Sequence, residues 1–136
     1  MFASKAQIKF IACGGGNNII QILNDLSMVY SFKNKKIAYV IIAAENDPVL
    51  LEIIRNGFND LKKIFSLLGA EEVFLIEQKN ISYLYSAQIV IFSGGDTSFL
   101  IKVLKNKNFT KKIQNHSLGI GAVMGISAGA IALFEK

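Results

Sequence analysis

The chain has 136 residues, 51% of them hydrophobic, a single cysteine and a formal net charge of +5. That length suits one domain with a real core, and no apolar run reaches the roughly 18–20 residues of a membrane span. Cys13 alone excludes an internal disulfide and points to a reducing, cytoplasmic setting. Too few apolar residues precede it for the core of a signal peptide. The lysines are scattered, apart from Lys33–Lys36 and the stretch from Lys102 to Lys112, and read as solvated helix ends and loops. With no zinc-ligand pattern and no aromatic–basic interleaving, neither a nucleic-acid surface nor a metal site is expected.

In chain order, short apolar runs alternate with amphipathic stretches, the signature of βαβ units. Ile8 to Cys13 reads as a first strand, Gly14–Gly16 as a turn, and Asn17 or Asn18 as the cap of a helix over Ile19 to Phe32. Lys36 to Ala44 is a β-branched and aromatic run, hence a second strand. Asp47-Pro48 marks a helix start, and Leu50, Ile54, Phe58, Leu61, Phe65 and Leu68 define one helical face closed by Gly69. Val73 to Ile76 is a third strand, Asn80 to Ser86 a short helix, and Ile89 to Ser93 a fourth strand. Helices over Ser98 to Leu104 and Phe109 to His116 follow, and Gly119 to Ile126 is a fifth strand. The expected fold is an α/β doubly wound parallel sheet of about five strands, with helices on both faces and flavodoxin-like order. In such sheets ligands bind at the carboxyl ends of strands. Three glycine-bearing loops fall there: Gly14–Gly16, Gly94-Gly95 and Gly125–Gly129.

The last of these carries the chemistry. Gly125-Ile126-Ser127-Ala128-Gly129-Ala130 reads G-x-S-x-G-A between an apolar strand and a small-residue helical run, the context of a nucleophile elbow. So tight a turn needs small residues two before and two after the serine, and Gly125 and Gly129 supply them. The bland alternative is a serine helix cap with small neighbours. Gly94-Gly95-Asp96-Thr97 reads either as a capped tight turn or as a second wall of the site. Its backbone N–H, with that of Ala128, then forms an oxyanion hole. Gly14–Gly16 is no dinucleotide fingerprint, because the third glycine position is Ile19. His116, the only histidine, precedes the fifth strand and so belongs a strand length from its carboxyl end; a solvated helix-end residue is the better reading. Glu45 and Asp47 follow the second strand, at the edge of the site, as loop and cap residues. Arg55, the only arginine, has no evident target.

Val90-Ile91-Phe92-Ser93-Gly94-Gly95-Asp96-Thr97-Ser98-Phe99-Leu100, followed by Met124-Gly125-Ile126-Ser127-Ala128-Gly129-Ala130, resembles peptidase family S51. That family includes the peptidase E type α-aspartyl dipeptidases and cyanophycinase, on a class I glutamine amidotransferase-like fold. The resemblance implies that Ser127 is the nucleophile, that Gly95 and Ala128 offer oxyanion N–H groups, and that Gly94, Asp96 and Thr97 line the substrate pocket. It implies a short peptide substrate, an acyl-enzyme mechanism and no cofactor.

In the family, the catalytic histidine and its acidic partner lie well downstream of the serine. Here 136 − 127 leaves 9 residues after it. The resemblance therefore implies that residues 1–136, one α/β domain, correspond to the N-terminal portion of a longer domain. The chain by itself is expected to be impaired or inactive without a base. Exposed apolar surface is expected around Leu133, Phe134 and the fifth strand, for a partner chain or a second copy to cover. The rival expectation is a non-catalytic α/β module that binds a small anionic or peptide ligand in the glycine-lined cleft. A glutamine amidotransferase activity fits less well, since that chemistry uses a cysteine at the elbow.

Overall fold

Five parallel strands form one sheet in the order β1-β5-β4-β2-β3. They are β1 (Lys9–Cys13), β2 (Lys36–Val40), β3 (Glu72–Ile76), β4 (Ile89–Phe92) and β5 (Ala122–Ile126). The helices are α1 (Ile19–Val29), α2 (Pro48–Leu67), α3 (Thr97–Asn106) and α4 (Phe109–Gln114). Shorter 3-10 segments cover Ile42–Ala44 and Gln78–Ser86. This computed structural model describes residues 8–13, 18–114 and 119–126. The expectations for Gly14–Gly16, His116, Ser127, Ala128, Gly129, Leu133 and Phe134 fall outside those residues.

Strand alternation divides the core in two. On one face Ala38, Val40, Val90, Phe92 and Val123 pack with Ile81, Leu84, Leu100, Val103 and Phe109. On the other, Ile37, Tyr39, Ile89, Ile91 and Met124 pack with Ile22, Leu23 and Leu26 of α1 and Phe65 of α2. The helices thus cover both faces, as strands with continuous apolar runs require. From β1 through β2 to β3 the chain steps in one direction across the sheet; from β3 through β4 to β5 it steps back. The order reverses between β2 and β4. Strands β2 to β5 reproduce the first four positions of the flavodoxin order, and β1 takes the fifth.

Local signals set the helix starts. Asn18 accepts from the Ile20 and Gln21 N–H groups at 3.0 and 3.2 Å, and Asp47 accepts from Leu50 N–H at 3.2 Å with Pro48 first in α2. Gly69, at φ +94°, ends α2 in a conformation that a side chain disfavours. Several details differ from the sequence expectation. Helix α1 stops at Val29, and Phe32 turns back into the core, fully buried with its ring centroid 5.6 Å from that of Phe65. Leu51, not Leu50, joins the buried face of α2. The fifth strand is interior, because β1 pairs along it from Lys9↔Ala122 to Cys13↔Ile126. All five of its residues are buried, whereas β1 at the edge exposes Phe10, at 48%, and Ala12.

Tyr39 lies in the core beside Phe65, and burial pushes its hydroxyl up to about 12. An unfolded tyrosine ionises near 10. The neutral phenol is favoured in the fold, so its contribution is intact below about pH 10 and disappears as the pH rises to about 12. The expected loss is roughly 2–3 kcal/mol at the upper end. Urea midpoints at about pH 8 and about pH 11 should fall less in Tyr39→Phe than in the natural chain; an equal fall in both refutes this origin.

Candidate active site

The loops that follow β2 and β4 meet where the strand order reverses, and a cavity of about 380 Å³ opens between them. Ala43, Asn46, Asp47, Pro48 and Leu50 line one side; Gly95 and Asp96 line the other. This is the place where a doubly wound sheet leaves a crevice, since the helices flanking it depart in opposite directions.

The second strand does not run to Ala44 as its apolar sequence suggests. After Val40 it curls into the 3-10 segment, with Ala44 N–H donating to Ile41 O and Glu45 N–H to Ile42 O, both at 3.0 Å. The two alanines stay buried and keep the turn narrow. That curl presents the Ala43 carbonyl to the β4 loop, where it accepts the Asp96 N–H at 2.7 Å. Gly95 lies directly against it. A Cβ there would stand 2.4 Å from the Ala43 oxygen and 2.5 Å from its carbon, and the residue sits at φ +147°. Only glycine satisfies both demands. Among the described residues, the Gly95 N–H donates to no backbone carbonyl.

Asp96 caps α3, accepting from Phe99 N–H at 3.0 Å, and its other oxygen accepts from Asn46 Nδ2 at 2.7 Å. The Phe99 amide first, and the Asn46 amide second, hold this carboxyl below the usual range. Asp96 is therefore an anion at neutral pH, at the cavity wall. Gly94 and Thr97 flank this pair, both half-buried, Thr97 as the first residue of α3. Asp47 caps α2 at the opposite wall.

Glu45 turns away from the cavity and accepts from the Gln78 backbone N–H at 2.7 Å and its side-chain amide at 3.2 Å. Arg55 donates through Nε, at 3.1 Å, and Nη2 to the two carboxylate oxygens of Glu77, a residue 7% exposed. The arginine whose target the sequence left open is thus committed to an ion pair across α2 and the end of β3. The described cavity lining carries two carboxylates and no basic side chain. Asn46 and the Ala43 carbonyl are the contributors that sequence reasoning missed. Position after a strand marked the loop, but nothing local marks Asn46 as the partner of a residue fifty positions on.

Strand β5 brings Gly125 and Ile126, from the first part of the second motif, to the same end of the sheet. It pairs with β4 in parallel, Gly125 beside Phe92, and its described part ends at Ile126, one residue before Ser127. Cys13, half-buried, closes β1 on the other side of β5. Among the described residues no group of three or more potential metal ligands occurs, and no helix is long and apolar enough to cross a membrane.

Fold and cleft together define a doubly wound α/β protein with a cleft lined by loops at the carboxyl ends of adjacent strands. The profile of peptidase family S51 matches residues 10–136, and the chain belongs to that family. Two solved structures share the fold. One, described as a peptidase E protein from Listeria monocytogenes EGD-e, has a TM-score of 0.65 at 18% identity over 91% of this chain. The other, a peptidase from an acI-B1 Actinobacterium, has a TM-score of 0.64 at 22% identity over 95% of this chain. The chain spans 60% and 58% of their respective lengths. No curated protein matches its sequence.

Proposed function

We propose that this chain carries the nucleophile and oxyanion half of a serine-type peptidase site acting on a short peptide. Ser127 attacks the scissile carbonyl, the N–H groups of Gly95 and Ala128 receive the oxyanion, and water hydrolyses the acyl-enzyme. Gly94, Asp96 and Thr97 line the substrate path. The observation that supports this most is the parallel register Phe92↔Gly125, which sends the Gly94-Gly95 loop and the chain entering Ser127 out of neighbouring strands at the same end. One oxyanion donor contributes roughly 3–4 kcal/mol of barrier lowering. A serine hydroxyl also needs a base, which this reading places outside the described residues.

The test is labelling of the purified chain with a fluorophosphonate beside Ser127→Ala. Where His116 or a partner chain supplies the base, labelling that disappears in the variant is expected, because only an activated hydroxyl reacts at a useful rate. A folded sample that takes no label rejects the hydrolase reading. The cavity between the β2 and β4 loops then favours the ligand-binding role.

A further inference from the structure

We propose that Asn46 is a positioning residue for the reaction at Ser127: its side-chain amide holds the Asp96 carboxylate and thereby fixes the turn that carries the Gly95 N–H. This rests on the hydrolase reading above. Three contacts join the two loops. Gly95 lies against the Ala43 carbonyl, that carbonyl accepts the Asp96 N–H, and Asn46 Nδ2 donates to Asp96 Oδ2. Among the described residues, the third is the one side-chain hydrogen bond that crosses from loop to loop.

The division of labour within Asp96 makes this contact more than ornamental. One oxygen is spent on the Phe99 amide of its own helix. The other is the grip by which the β2 loop holds the β4 loop. Both neighbours of Asn46 are acids with other duties: Glu45 serves Gln78 and Asp47 caps α2. A neutral donor between them is what the Asp96 anion requires, and a third carboxylate there would repel it. Asn46 is exposed, so removing its amide opens no core cavity. A purely structural role predicts a small change in stability and none in reactivity. A positioning role predicts the reverse, because misplacing an oxyanion donor by a fraction of an ångström weakens it only at the moment of reaction.

The experiment compares the natural chain with Asn46→Ala and Asn46→Asp by fluorophosphonate kinetics, separating the maximal inactivation rate from the half-saturating concentration. The maximal rate should fall about tenfold in Asn46→Ala and further in Asn46→Asp, with half-saturation within about twofold and the final labelled fraction unchanged. An unaltered maximal rate in folded variants overturns the proposal. If the natural chain takes no label, the hydrolase reading fails on its own, and the amide resonance of Gly95 decides about Asn46. A shifted or broadened Gly95 signal in Asn46→Ala, with Gly57 in α2 unmoved, upholds the tie; an unmoved Gly95 signal refutes it.

Discussion

Replacing Gly95 with alanine should cost the chain roughly 3 kcal/mol and lower Ser127 labelling of the remaining folded molecules by at least about 100-fold. The added methyl meets backbone, not a flexible side-chain end: the Ala43 oxygen at 2.4 Å, its carbon at 2.5 Å and the Ala44 nitrogen at 2.9 Å. None of these can swing aside. To make room, the β4 loop must lift off the 3-10 turn, and the 2.7 Å bond from Asp96 N–H to Ala43 O must stretch or break. The φ of +147° adds strain for any residue with a side chain. Both consequences act on the peptide unit that carries the proposed oxyanion donor. Gly57→Ala is the matched control. Its added methyl meets nothing within 4 Å, and in the middle of α2 it should stabilise by about 0.5–1 kcal/mol. Urea unfolding and labelling rates of the two variants check the contrast. A Gly95→Ala chain that labels at the natural rate removes this turn from the reaction.

The second large effect is expected at Phe65, where alanine should cost about 3–5 kcal/mol and lower the melting temperature by roughly 10–20 °C. Phe65 is fully buried on the α2 side of the sheet. Its ring centroid stands 5.6 Å from that of Phe32 and 6.0 Å from that of Tyr39, the latter edge-on. It is the point where α2, strand β2 and the turn after α1 share one packing contact. Truncation leaves a hole bordered by two other rings that cannot collapse into it without dragging their own backbones. The loss approaches the low end of the stability of an ordinary domain, about 5 kcal/mol. Phe65→Leu keeps most of the volume and should lose less than half as much. Calorimetry on both variants settles it; equal, small losses would mean that the aromatic cluster is not a keystone of the fold.

The amino-acid sequence determined the elements whose signals are local. Asn18 and Asp47-Pro48 start helices because their side chains satisfy nearby amides, and Gly69 ends one because the backbone there turns left-handed. The apolar runs of β2, β4 and β5 foretold strands buried on both faces. Gly94 and Gly95 likewise marked the loop after β4, since they directly follow an apolar run; Gly125, read with the loop after the fifth strand, lies within β5.

What lay beyond reach was set by contacts between distant residues. Ile41-Ile42-Ala43-Ala44 reads as more strand, since hydropathy does not distinguish a buried strand from a buried turn; the loop of Gly95, arriving from β4, is what the curl accommodates. Phe32 reads as helix by its apolar character, yet the pocket offered by Phe65 draws it out of α1. Arg55 received its target only when β3 brought Glu77 beside α2. Strand order belongs to the same category: β1 lies beside β5, more than a hundred residues on, and so makes the fifth strand interior. Hydrogen-bonding preferences over three or four residues are written in the local sequence, whereas the partner of Asp96, fifty residues back, is chosen by which loops the closed sheet brings together.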